Sequence, residues 1–173
     1  MHYISTRNPQ HRVLLGAAIA QGIAPDGGLY VPESFAHFVP HQFEGATSLA
    51  EIGERLIAPF AQGDPLASEI GAICRAAFDF PAPLVPLRDA PAPAAVLELF
   101  HGPTSAFKDF GARFLAEFLE RIRRGSARKL TILVATSGDT GGAVAAAFHG
   151  RPWVDVVVLY PQGLLYGDRK SVV

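Results

Sequence analysis

In the stretch LELFHGPTSAFKDFGARF, from Leu97 to Phe114, an apolar run stops at His101-Gly102-Pro103, and a single amine, Lys108, follows between Phe107 and Asp109. A lysine amine is a nucleophile only when neutral, and near pH 7 in water it is almost wholly protonated. With Ser105 as a helix cap, Lys108 falls in the first turn, where the positive end of the helix dipole opposes a cation. Flanking phenylalanines add desolvation, so both effects favour the neutral amine. The plainer alternative is a lysine on the solvent face, paired with Asp109 or a glutamate. Position alone leaves both open.

A second constellation is Thr136-Ser137-Gly138-Asp139-Thr140-Gly141-Gly142. Small, polar, glycine-rich residues at a helix start let an anion approach unpaired backbone N–H groups. Ordinary N-capping by Ser137 or Thr140 is the competing reading. The run is neither a Walker A loop, since no lysine follows the glycines, nor a GxGxxG fingerprint. His101 is either a proton carrier or a loop hydrogen-bonder, and Asp139 either touches a ligand or stabilises its own turn. Trp153 and Cys74 read as core, and Asp26 as a turn former.

The surrounding elements must position these loops. Ala95 to Phe100 reads as a strand. Ser105 to Arg124 reads as an amphipathic helix, with Phe107, Phe110, Phe114, Leu115, Phe118, Leu119 and Ile122 at helical spacing and Gly125 at its end. Leu130 to Ala135 is a strand apolar enough to be covered on both faces. Thr140 to His149 is a helix and Val154 to Tyr160 a third strand. This order predicts a parallel sheet with right-handed crossovers, and its loops gather at the carboxyl edge, where ligands bind. The third such loop is Tyr160-Pro161-Gln162-Gly163.

Upstream, the chain reads as small helices and turns. Val13 to Ala20 is either a short buried helix, the favoured reading, or a weak signal peptide. Pro25-Asp26-Gly27-Gly28 is a tight turn, with Leu29-Tyr30-Val31 as a short strand. Ser48 and Glu51 match a capping box opening a helix to about Phe60, and Asp64-Pro65 reads as the start of another. Pro81, Pro83, Pro86, Pro91 and Pro93 make an extended connector, which sets a domain boundary near residue 90.

Composition narrows the classes. The chain has 173 residues, 49% hydrophobic and 18% charged, with a net charge of -1. That describes a globular protein and gives nucleic-acid binding no electrostatic support. One cysteine excludes an internal disulfide or a CxxC metal pair. No apolar run is long enough to span a bilayer.

Leu97 to Phe110 closely resembles the cofactor-lysine segment of the threonine synthase family. Thr136 to Gly141 is similar to its second signature, Asp26-Gly27-Gly28-Leu29-Tyr30-Val31-Pro32 to its N-terminal domain, and Phe78 to Pro83 to its connector. The resemblance covers about residues 1–163. It implies a fold-type II pyridoxal-phosphate enzyme. The fold expected is a small N-terminal helical or α+β domain (1–90), then the start of a doubly wound, mostly parallel sheet (91–163). Lys108 is then the residue that holds pyridoxal 5'-phosphate as a Schiff base and shuttles protons. Thr136, Ser137, Gly138 and Thr140 hold anionic groups of the substrate, and Asp139 sits near the cofactor ring. No metal is implied. The reaction implied converts O-phosphohomoserine and water to threonine and phosphate, in the cytoplasm, without nucleic acid or membrane.

Two departures qualify this. After Gly163 the family continues with a serine and a downstream glutamine and runs on well beyond this length, whereas this chain reads Leu164 to Val173 and stops. The expectation is an N-terminal fragment with an atypical tail at 164–173, lacking the loop that grips the cofactor phosphate and inactive alone. Another fold-type II lyase or dehydratase, and a non-catalytic module for phosphorylated ligands, are the competing readings. Oligomeric state is left open.

Overall fold

The computed structural model describes residues 1–88, 92–136 and 138–161. They form two compact units, Met1–Asp79 with Glu117–Arg124, and Phe80–Ala116 with the residues from Gly125 onward.

The first unit opens with a small antiparallel sheet. Strand β1 (Tyr3–Ser5) lies between β2 (Arg12–Val13) and β3 (Tyr30–Pro32). The helix α1 (Leu15–Gln21) separates β2 from the turn before β3. That turn is closed by an Ile23–Leu29 bridge, and the Gly28 N–H donates to Asp26 Oδ1 at 2.8 Å. The Ser5 hydroxyl donates to the same carboxylate, so Asp26 does serve its turn.

Helix α2 (Leu49–Ile57) begins where the sequence says it should. The Glu51 N–H donates to Ser48 Oγ and the Ser48 N–H to Glu51 Oε2, both at 3.2 Å. The Asp64-Pro65 reading is corrected. Asp64 is buried and accepts the Gly16 N–H at 2.7 Å and the Leu66 N–H at 2.9 Å. Its side chain is committed to a neighbouring segment, and α3 (Ile70–Ala77) starts only after a 3₁₀ turn at Ala67–Glu69. Ile70, Ile73, Cys74, Ala77 and Phe118 are fully buried in this unit. Burial pushes the Cys74 thiol up to about 11, so it is inert at neutral pH.

In the second unit the structure departs from the expected sheet. Strand β5 (Ala95–Leu97) pairs antiparallel with β4 (Leu84–Pro86), with Val96 opposite Val85. The two form a ribbon separate from the parallel pair. A two-stranded ribbon consists only of edges, and edges tolerate the prolines that exclude this connector from a central position. The parallel pair is β6 (Leu130–Ala135) with β7 (Val154–Leu159), in register from Leu130–Val154 to Ala135–Leu159. They are joined by α5 (Asp139–Phe148), which covers one face of the pair. Residues alternate between the two faces, and on the other face Leu133 is 64% and Leu159 51% exposed. The expectation that β6 is covered on both sides therefore fails among the described residues.

The long helix α4 (Lys108–Ile122) is shorter than read from the sequence. Ser105 does not cap it. Its φ of 56° is left-handed, whereas a helix cap needs extended backbone.

Candidate functional site

The loop from His101 to Phe107 is held from inside. Asp109 is 1% exposed, and its carboxylate takes both donors of one residue. The Thr104 N–H donates to Oδ2 at 2.8 Å and the Thr104 hydroxyl to Oδ1 at 2.7 Å. A further closure comes from the Ser105 N–H, which donates to the Gly102 carbonyl at 3.0 Å. A β-carbon on Gly102 would lie 2.5 Å from Asp109 Oδ2, so this position has no room for a side chain. Asp109 is thus spent on Thr104, and the reading that pairs it with Lys108 is corrected. No sequence pattern signals this clamp, because an acid beside a lysine on a helix looks like a surface pair.

Lys108 is the first residue of α4, partly exposed, where its position in the sequence suggested. The role of Phe107 differs from expectation. Its ring is 61% exposed, and Lys108 Nζ stands 4.7 Å from its centroid. A ring face at that range attracts the ammonium rather than disfavouring it. Phe110 turns the other way, edge-on to Phe80 at 4.9 Å. His101 stacks on Phe100 and its Nε2 lies 2.6 Å from Glu98 Oε2.

The second loop is built on Thr136. Its Oγ1 accepts the N–H groups of Gly138 and Gly141, each at 3.1 Å, and donates to the Gly138 carbonyl. The hydroxyl that sequence reasoning assigned to a ligand is therefore engaged inside the turn. Gly138 stands at the helix cap without a side-chain capping bond, which leaves the N–H groups of Asp139 and Thr140 at the open end of α5. Asp139 and Thr140 are both exposed, and Ser137 lies outside the described residues. Beside this turn, Ala135, Thr136, Leu159, Tyr160 and Pro161 line an open depression of about 360 Å³ at the carboxyl end of β6 and β7. Gln162, Gly163 and the tail also fall outside the described residues. Thr136, Gly138 and Gly141 are brought together by hydrogen bonds. None of the hydrogen bonds or ring contacts among the described residues joins Lys108 to them. No cluster of three metal-ligating side chains occurs among the described residues, and no helix there is long and apolar enough to cross a membrane.

A helix headed by a lysine, and a separate β–α turn at the carboxyl end of a parallel pair, belong to a mixed α/β protein. Residues 2–78 match the family model described as the threonine synthase N terminus. Threonine synthase from Haemophilus influenzae is 39% identical over 163 residues, and that from Escherichia coli 41% identical over 174 aligned residues. Each match covers 94% of this chain and 37% of the relative. The structure of PLP-bound threonine synthase from Brucella melitensis superposes with a TM-score of 0.83 at 35% identity, covering 96% of this chain and 37% of that one. The chain is similar to the N-terminal part of these threonine synthases and spans 37% of the length of the curated relatives it matches.

Proposed function

We propose that these residues are the part of a threonine synthase that supplies the cofactor lysine and one anion-binding turn. In this reading residues 1–90 are the N-terminal domain and 91–163 part of a domain that binds pyridoxal phosphate, and the protein works in the cytoplasm. The substrate is O-phosphohomoserine and the products are threonine and phosphate. The observation that carries the reading is that Lys108 heads α4 at the end of a loop fixed by Asp109, in a chain this similar to threonine synthases.

The residues present fit the cofactor. Lys108 offers a primary amine to an aldehyde, and the uncapped start of α5 offers N–H groups to anions. Bound there, the cofactor supplies an electron sink for the carbon that loses its proton. Lys108 takes that proton as the neutral amine and returns it later. Thr136, Ser137, Gly138 and Thr140 hold the anionic groups of the substrate, Thr136 by shaping the turn and Thr140 through its backbone N–H. Asp139, exposed in the first turn of α5, would be the residue nearest the ring of the bound cofactor.

The test is to incubate the 173-residue chain with pyridoxal phosphate, reduce with borohydride and map the modified peptides. Modification concentrated at Lys108 supports the reading. Equal modification of Lys108 and Lys129 overturns it. Release of phosphate from O-phosphohomoserine by these residues alone is expected to be absent, and robust release would show that they hold a complete catalytic cleft.

A further inference from the structure

We propose that Asp109 is a positioning residue for Lys108, acting through Thr104 on the loop that ends at the amine. This rests on the reading of Lys108 as the cofactor lysine.

The carboxylate is 1% exposed, and burying a charge is costly unless its lone pairs are filled. Here both oxygens are filled by one residue, Thr104, five positions earlier. None of the ion pairs among the described residues includes Asp109. A stabilising surface helix would not need a charge in this place. A neutral asparagine would accept one of the two bonds, and an apolar residue would avoid the cost of burial altogether. What the carboxylate does that they cannot is accept the Thr104 N–H and hydroxyl together.

The bracketed segment explains the need. Between Thr104 and Asp109 the backbone passes through Ser105 at φ 56°, a conformation that non-glycine residues avoid. It does so with Gly102 pressed against the Asp109 side chain. Two charge-assisted hydrogen bonds hold such a segment closed. Lys108 is the residue between the strained turn and the clamp. In a helix, neighbouring side chains diverge by roughly 100°, from 3.6 residues per turn. With Asp109 anchored inward, the direction in which Lys108 leaves the backbone is set. Releasing Asp109 lets the first turn of α4 fray and the amine sample other directions.

The experiment uses the full chain and pyridoxal phosphate, with borohydride reduction at short times. Lys129, ion-paired with Asp155 at 2.9 Å in another part of the unit, is the internal reference. The measured quantity is the ratio of modification at Lys108 to that at Lys129. In the unaltered chain Lys108 dominates. In Asp109→Ala the ratio falls by about 10-fold or more, the scale expected when a reacting group is misplaced by an ångström. The Lys129 rate and the circular dichroism stay unchanged. Asp109→Asn, which keeps one acceptor, falls between. Thr104→Val, which loses only the hydroxyl, lowers the ratio in the same direction and carries the test if Asp109→Ala does not fold. A ratio that stays at the unaltered value in a folded Asp109→Ala or in Thr104→Val overturns the positioning role alone. An unaltered chain with no preference for Lys108 overturns the cofactor reading and this role with it.

Discussion

Thr136 and Gly141 occupy adjoining space so closely that a β-carbon on Gly141 would stand 2.2 Å from Thr136 Cγ2 and 3.2 Å from Val158 Cγ1. The threonine can hold the N–H groups of Gly138 and Gly141 only because the helix presents no side chain there.

Gly141→Ala is therefore expected to destabilise the chain by about 1–3 kcal/mol through overpacking, despite the better helix propensity of alanine. Thr136→Ser removes the obstructing methyl and keeps the hydroxyl. Combined with Gly141→Ala, it should recover much of the loss. Urea unfolding of the two single variants and the double variant measures the coupling, and simple additivity would mean that the methyl is not the obstacle.

The cap of α2 predicts a response to acid. The N–H groups of Thr47 and Ser48, with the Thr47 hydroxyl, hold the Glu51 carboxyl below the usual carboxylate range. A lowered folded value means that Glu51 stabilises the chain above its unfolded value. That contribution is lost as pH falls through the folded one. Glu51→Gln should lose stability at neutral pH and match the unaltered chain at the acid end. Melting temperatures across that range decide it, and parallel curves would dismiss the cap as a source of pH dependence.

Ser105 makes a third case. Its left-handed backbone costs roughly 1–2 kcal/mol relative to glycine, while glycine adds about 0.5–1 kcal/mol of unfolded-state entropy. Ser105→Gly should thus change stability by about 1 kcal/mol or less, most simply upward. Ser105→Val, with a branched β-carbon in the same conformation, should cost more than any polar replacement. Denaturation midpoints for the pair separate strain from contact loss.

What could be read from the sequence was whatever a short run of side chains controls. The Ser48–Glu51 box and the β6 strand depend on neighbours within a few residues, and they stand where the pattern put them, while α5 begins one residue before the expected Thr140, with Gly138 rather than a hydroxyl residue at its cap. Strands β1 and β2 went unread, because two or three residues carry no period and their pairing partners lie far along the chain. β5 was read as a strand but given the wrong partner, since pairing with β4 depends on the path of the proline-rich connector. At the site, the place of Lys108 in the first turn of α4 was legible, whereas the Asp109 clamp was not. Its meaning depends on Gly102 and Thr104 folding back over it, a relation of shape rather than composition.

The uneven dressing of the β6–β7 pair has a bearing on handling. Leu133, Val157 and Leu159 form a greasy stripe that water wets on one side, while α5 shields the other. Excluded salts such as sulfate make such wetting dearer, so they drive molecules with this stripe to cluster. Purification in dilute, low-sulfate buffer should then keep the particles small in light scattering, and salting-out would begin at that stripe.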